Sequence, residues 1–335
     1  MSKKILITGA TGFIGSFLVE KALEKNFEVH VAIRKSSSKQ YLQDKKIIFH
    51  YLDFSSKENL KKELQEIKSQ VEKFDVIIHN AGVTKAKNVK EYDTVNNIYT
   101  RNFLDTLLEL DFKANLFIFT SSLAAFGCGK PGTTEPVMLH HDPKPVNLYG
   151  KSKLDAEKYL QSLKDFPYLI FRPTGVYGPR EKDYYVFFKT INNHIEAYIG
   201  FQKQYLTFIY VKDYVNLVFK AIESNIRNKA YFVADGQYYD SETFSKITKK
   251  VLNKKTIKIK VPISVVKGIA FLLENISKPF GKYPTLNKEK VYILEANNWI
   301  CETEQLKTDF DFDAEYDLEK GVIETIEWYK KEKWL

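Results

Sequence analysis

"TGATGFIG", residues 8–15, separates the apolar run "KILI" (4–7) from the amphipathic stretch "SFLVEKALEK" (16–25). The first run is short and apolar, as in a buried strand, while the second repeats apolar residues at helical spacing. Gly9, Gly12 and Gly15 lie between them. Glycines in that setting let the chain turn tightly and approach a pyrophosphate, and the helix that follows offers free N–H groups and the positive end of its dipole. The turn therefore reads as a dinucleotide-binding loop, with Thr11, Phe13 and Ile14 among its contacts. Its spacing is Gly-x-x-Gly-x-x-Gly rather than Gly-x-Gly-x-x-Gly, which bears on the class of dinucleotide enzyme it matches.

Outward from this turn, apolar runs alternate with helical segments: "EVHVAI" (28–33), "IIFHYLD" (47–53), "DVIIHNAG" (75–82), "RNFLDTLLEL" (101–110) and "NLFIFTSS" (115–122). Continuous apolar strands joined by helical crossovers predict an α/β fold: a doubly wound parallel sheet (Rossmann) with its ligand crevice at the carboxyl ends of the strands. No linker interrupts the chain, so a smaller C-terminal α/β substrate domain is expected to be interleaved with the first. The expected division is 1–175 with about 207–235 for the dinucleotide-binding domain, and 176–206 with 236–335 for the substrate domain.

With 335 residues and 44% hydrophobic content, the chain can bury a large core. The 51 basic and 42 acidic residues give +9, but lysines alternate with acids in stretches such as "KENLKKELQEIKSQVEK" (57–73), as on solvated helix faces. Nucleic acid is not an expected partner; a small molecule is. Cys128 and Cys301 stand far apart with no second cysteine nearby, and His140–His141 lack metal-ligand spacing, so neither a disulfide nor a metal is expected. The start of the chain carries no signal-peptide pattern, and the expected location is cytoplasmic.

The strand ends carry the candidate cofactor contacts. Arg34 and Lys35 follow the second strand, where an acid would bind the adenosine ribose hydroxyls and a cation would accept a 2′-phosphate. NADP(H) is therefore expected over NAD(H). Asp53, with Phe54 beside it, ends the third strand and is placed for the adenine amine or for capping a helix. Asn80, Ala81 and Gly82 end the fourth strand, and Thr120 and Ser122 the fifth. Further on, "NLYGKSKLDAE" (147–157) puts Tyr149 and Lys153 one helical turn apart on one face. A free tyrosine titrates near ~10, so acid–base work at neutral pH calls for a cation that favours the phenolate.

Together, "TGATGFIG", "HNAG" (79–82), "FTSS" (119–122), "YGKSK" (149–153) and "RPTGVYGPR" (172–180) resemble the extended short-chain dehydrogenase/reductase family, over residues 3 to about 220. The resemblance implies NAD(P) binding and a reacting set of Ser122, Tyr149 and Lys153. In that set Ser122 orients the substrate oxygen, Tyr149 exchanges its proton and Lys153 reaches the nicotinamide ribose. It also carries over Asn96, although Tyr99 replaces the glycine of the family's Asn-x-x-Gly-Thr segment, and Arg172, Pro173 and Val176 near the carboxamide. A homodimer through helices at 92–110 and 149–164 is a further family expectation.

Departures bear on the reaction. Leu123 and Ala124 follow Ser122 where dehydratases of the family carry an Asp-Glu pair, which argues against elimination of water. Leu206 in "LTFIYVKD" replaces an arginine that nucleotide-sugar enzymes commonly place on a substrate phosphate, though Arg180 and Lys182 offer charge from elsewhere. The C-terminal third resembles the branch holding 3β-hydroxysteroid dehydrogenases and dihydroflavonol reductases. The expected reaction is hydride transfer between a nicotinamide and a carbonyl or secondary alcohol of a fairly apolar substrate. A nucleotide-sugar epimerase is the alternative, and a non-catalytic dinucleotide-binding protein a third reading. Phe126, Tyr177, Tyr184, Tyr185 and Phe188 line a pocket or fill a core. The apolar segment at 261–284, too interrupted to span a bilayer, is a lid, a core cover or a membrane-surface contact.

Overall fold

The structure, a computed structural model, describes residues 2–86, 88–277, 284 and 286–335. The strands are β1 (Lys4–Thr8), β2 (Glu28–Ile33), β3 (Ile48–Tyr51), β4 (Val76–His79), β5 (Leu116–Thr120), β6 (Tyr168–Pro173), β7 (Gly175–Tyr177), β8 (Ile195–Ile199), β9 (Tyr205–Leu206), β10 (Phe208–Tyr210), β11 (Lys229–Val233), β12 (Tyr239–Asp240), β13 (Ile257–Val261) and β14 (Asn298–Trp299). Seven of them form one parallel sheet in the order β11-β6-β5-β4-β1-β2-β3. The order reverses at β1, and doubly wound sheets bind ligands in the crevice at such a reversal.

The helices are α1 (Phe13–Glu24), α2 (Lys57–Val71), α3 (Val89–Asp93), α4 (Tyr99–Glu109), α5 (Leu148–Ser162), α6 (Asp183–Asn192), α7 (Val211–Glu223), α8 (Ser241–Leu252), α9 (Ile263–Ser277), α10 (Lys288–Glu295), α11 (Glu304–Phe310) and α12 (Leu318–Lys331). Side chains of a strand alternate between faces, so β1 feeds two cores: Ile5 and Ile7 pack with α1, α7 and α11, while Leu6 packs with α2, α4 and α5. Both faces are covered, which is why the strands read as unbroken apolar runs. Short polar side chains start the helices: Ser56, Asn147, Asp240, Asn287 and Asp317 each accept from a backbone N–H of the first turn.

A third cluster joins β7, β10, α6, α8 and α12 through Tyr177, Phe188, Phe208, Phe244 and Tyr329. Tyr177 and Phe188 are fully buried there, with Tyr184 and Tyr185 packed alongside, and Phe126 lies in a separate cluster with Leu123 and Phe232. These aromatics are core rather than the lining of an open pocket. Among the described residues no helix is long and apolar enough to cross a membrane. The apolar segment contributes α9, packed on α10 through Val266, Ala270 and Val291; its residues 278–283 lie outside the described residues.

Candidate active site

The glycine turn is forced by contact. Gly9 adopts φ +67°, and a Cβ on it would lie 2.7 Å from backbone atoms of Asn80 and Ala81; a Cβ on Gly15 would lie 2.1 Å from the Gly9 carbonyl oxygen. Only glycine permits β1, α1 and the end of β4 to meet this closely. Gly12 starts α1 with no side chain capping it, so the first N–H groups of Phe13 and Ile14 stand uncapped by any side chain at the sheet's reversal point. An uncapped helix start and a strand-end crevice suit a pyrophosphate. Thr11 lies in this same turn.

A buried chain of hydrogen bonds fixes the neighbouring loop. The Ala81 N–H donates to Thr8 Oγ1 (3.1 Å), Thr8 Oγ1 lies 2.9 Å from His79 Nδ1, and His79 Nε2 lies 3.0 Å from Thr100 Oγ1. Thr100 spends its own proton on the Asn96 carbonyl (2.8 Å). Nε2 therefore carries the imidazole proton, and Thr8 donates to Nδ1. Burial pushes His79 down to about 3, with the Lys153 charge adding in the same direction, so the ring is neutral. Asn96 lies in a π-helical turn, Thr94–Ile98, and is fully buried. Its Oδ1 accepts from Val83 N–H (2.8 Å), and its Nδ2 donates to the Val83 carbonyl and to Ser152 Oγ (both 3.1 Å). Asn96 thus holds the Ala81–Val83 loop against α5, and its amide is spent on that task.

The amino end of α5 carries the reacting set. Asn147 Oδ1 caps it by accepting from Gly150 N–H (2.9 Å), and the Glu289 carboxylate of α10 accepts from Leu148 N–H (2.6 Å). A Cβ on Gly150 would lie 2.0 Å from the Ala124 carbonyl oxygen, so the glycine of "YGKSK" is what brings α5 onto the turn that starts at Ser122. Ser122 caps that turn, accepting from Ala124 N–H (3.1 Å). Burial pushes the Tyr149 phenol up to about 12, and a hydrogen bond with Ser122 opposes this. The serine thus stands on the phenol's side of the turn.

Lys153 is buried one turn below. Its Nζ donates to the Thr120 carbonyl (2.8 Å) and lies 4.8 Å from the centre of the Phe119 ring. A methyl on Gly82 would lie 3.1 Å from Nζ and 3.0 Å from Asn96 Oδ1, so lysine, loop and asparagine converge on one spot. Burial lowers Lys153 to about 8, and Glu157 opposes the shift. Lowering of the tyrosine by this lysine, expected from the spacing, is absent: the ammonium points at Thr120 and the loop, and desolvation governs the phenol.

Beneath this set lies an ion pair that the sequence reading missed. Glu157 is fully buried, accepts from the Ser121 hydroxyl and receives the Arg172 guanidinium at 2.7, 3.0 and 3.1 Å. Arg172 also lies 4.8 Å from the centre of the Phe126 ring. The guanidinium expected near a carboxamide is therefore committed to holding α5, β5 and β6 together. Lys153 and Glu157 are four residues apart and look in sequence like one more surface pair.

The other expected contacts lie around the strand ends. Arg34 and Lys35 are exposed just after β2, and among the described residues neither forms an ion pair. The Asp53 carboxylate is already engaged by the N–H and hydroxyl of Ser55 and by Asn59 Nδ2, bonds that hold it below the usual carboxylate range, Ser55 first. Phe54 packs on His79 and Phe103. Asn80 is half-buried at the end of β4. The Thr120 hydroxyl pairs with Tyr214, leaving only its carbonyl to Lys153. Pro173 is buried, and Val176 is paired with Ile209 and packed on the core. Arg180 turns back onto α1, donating to Ser16 Oγ (2.9 Å) and Glu20 Oε1 (2.6 Å). Its charge is balanced there rather than offered to a substrate.

Residues 5–234 match the model of the NAD dependent epimerase/dehydratase family. A UDP-glucose 4-epimerase of Vibrio cholerae is 28% identical over 276 residues, 78% of this chain and 80% of that one. The N-acetyl-alpha-D-glucosaminyl-diphospho-ditrans,octacis-undecaprenol 4-epimerase of Escherichia coli O157:H7 is 25% identical over 339 residues, 98% and 96% of the two chains. The crystal structure of UDP-glucose 4-epimerase from Thermotoga maritima with UDP-glucose shares the fold, with TM-score 0.78, 21% identity and coverage of 98% of this chain and 99% of that one.

Proposed function

Because the chain belongs to the NAD dependent epimerase/dehydratase family, we propose that it is an epimerase acting at a secondary-alcohol carbon of a diphosphate-linked sugar. The observation that carries this reading is the packing of the Tyr149 helix, through Gly150, onto the turn that Ser122 caps, beside a glycine turn suited to a dinucleotide, with buried Leu123 and Ala124 where an eliminating enzyme needs an acid. Similarity to two 4-epimerases, one across nearly the whole chain, favours epimerisation over the net oxidoreduction expected from the sequence.

When bound, the oxidised nicotinamide supplies a cationic ring that accepts a hydride from the substrate carbon and later returns it. Tyr149 takes the hydroxyl proton as the carbon is oxidised and gives it back when the carbon is reduced from its other face. Its phenol, pushed up to about 12, holds a proton at neutral pH, so the reaction requires cationic charge near it. Lys153, lowered to about 8, is still mostly charged at pH 7, but its ammonium is held at the Thr120 carbonyl beside Gly82, so the charge near the phenol is left to the cationic ring. Ser122 would orient the substrate oxygen, and the Thr8–His79–Thr100 chain holds the Ala81 loop that would receive the cofactor's ribose.

Leu206, which lacks the phosphate-holding charge of an arginine, favours a second reading: NADPH-dependent reduction of a less polar carbonyl, with Arg34 on the 2′-phosphate. Absorbance at 340 nm separates the two. Epimerisation of a UDP-sugar with no net change supports the first; steady oxidation of NADPH by an apolar ketone, with every UDP-sugar inert, overturns it.

A further inference from the structure

Helix α9 carries two apolar faces. Val266 and Ala270 are buried against α10. Val265, Ile269, Leu272 and Ile276, spaced four, three and four residues apart, form a second stripe, which at helical spacing lies about 100° from the first. That stripe is open: Ile276 is 63% and Leu272 58% exposed, and Phe271 beside it is 65% exposed. A surface helix normally presents polar residues there. β13, which leads into α9, adds Ile257, 72% exposed.

Lysines cluster in the sequence that leads into the open stripe. Residues 241–277 contain eight lysines and two acids; Lys249, Lys250, Lys258 and Lys267 are paired with Glu196, Glu319, Glu242 and Glu295. Lys246, Lys254, Lys255 and Lys260 have no ion pair among the described residues, and Lys246, Lys254 and Lys255 line a shallow groove at the end of α8. An exposed apolar stripe in so cationic a segment suits a partner that is apolar beneath and anionic on top. A second copy docking through the same face would set two such cationic segments against each other.

We propose that α9 is a membrane-docking helix that seats on a bilayer bearing anionic headgroups. The helix is 15 residues long and lies in the interface rather than spanning it. Its position bears on the site: α9 packs on α10, and Glu289 of α10 holds the Leu148 N–H that begins the Tyr149 helix. A docked molecule therefore has its reacting helix two contacts from the lipid surface.

The test is co-sedimentation of the full chain, without substrate or cofactor, with vesicles of phosphatidylcholine alone or mixed with phosphatidylglycerol. Its outcome is thus independent of the reaction proposed above. The expected result is binding to the anionic vesicles, weakened roughly 10-fold by phosphatidylcholine alone or by high salt, and lost in Leu272→Asp/Ile276→Asp with an unchanged circular dichroism melt. Lys255→Glu/Lys260→Glu, which leaves the stripe intact, weakens it in the same sense. Equal binding by the Asp variant and the parent, no binding to either vesicle, or a dimer by light scattering that the Asp variant splits would each overturn the proposal.

Discussion

Helices α5 and α9 are each 15 residues long, and each inverts the usual rule for a surface helix in the opposite direction. α5 buries Ser152, Lys153 and Glu157 together with Leu154 and Leu160. α9 buries only Val266 and Ala270 and leaves Phe271, Leu272 and Ile276 in the open. Buried charge is costly unless paired, and exposed apolar stripes are uncommon in monomers. For α5 the partners lie inside the fold, at the Thr120 carbonyl, Ser121 and Arg172; for α9 the proposed partner is a surface outside the molecule.

Four changes sharpen this contrast. The largest effect is expected for Tyr149→Phe, which removes the proton carrier: turnover should fall by roughly 10³-fold while the melting temperature and dinucleotide affinity, read by calorimetry, stay close to the parent's. Glu157→Leu comes next, because it strands Arg172 in the interior; breaking a buried pair costs ~3–5 kcal/mol, to be seen as a lower urea midpoint. If that variant unfolds no more easily than the parent, the pair does not hold α5.

A pH effect of middle size follows from His79. It titrates near ~6.5 in the unfolded chain and near 3 in the fold, so the fold binds fewer protons. Stability should be level above pH ~6.5 and fall as pH drops below it, by ~1.4 kcal/mol per unit, and His79→Asn should flatten the slope in acid urea titrations. In the other direction, turnover should decline above about 8 as Lys153 loses its charge. The smallest effect is expected at α9: Leu272→Asp/Ile276→Asp should move stability by less than ~0.5 kcal/mol, because those side chains touch little. A large loss would mean that the stripe is core.

The same contrast explains what was legible. The glycine turn, the five early strands and the Ser122–Tyr149–Lys153 set each leave a local signature, a fixed spacing at a strand end, and the sheet's topology brings them together. Arg172–Glu157 and Thr8–His79–Thr100 leave none, because their partners are far apart in sequence and each residue alone has an ordinary surface or core reading. The aromatics at 177–188 were ambiguous for the same reason: a ring that lines a pocket and one that fills a core have the same spacing, and only burial separates them. Lowering of Tyr149 by Lys153 failed because spacing fixes the face of a helix but not where a long side chain ends, and the Thr120 carbonyl captures this one.

The central claim is that hydride leaves and returns to one carbon while Tyr149 carries the proton. It is tested most directly by incubating the protein and NAD with UDP-glucose and UDP-N-acetylglucosamine deuterated at C4, and following the sugars by NMR. The expected result is a 4-epimer that retains its deuterium, with no net change at 340 nm and no conversion by Tyr149→Phe. Accumulation of a ketosugar with stoichiometric NADH, or conversion by the phenylalanine variant at the parent's rate, would contradict it.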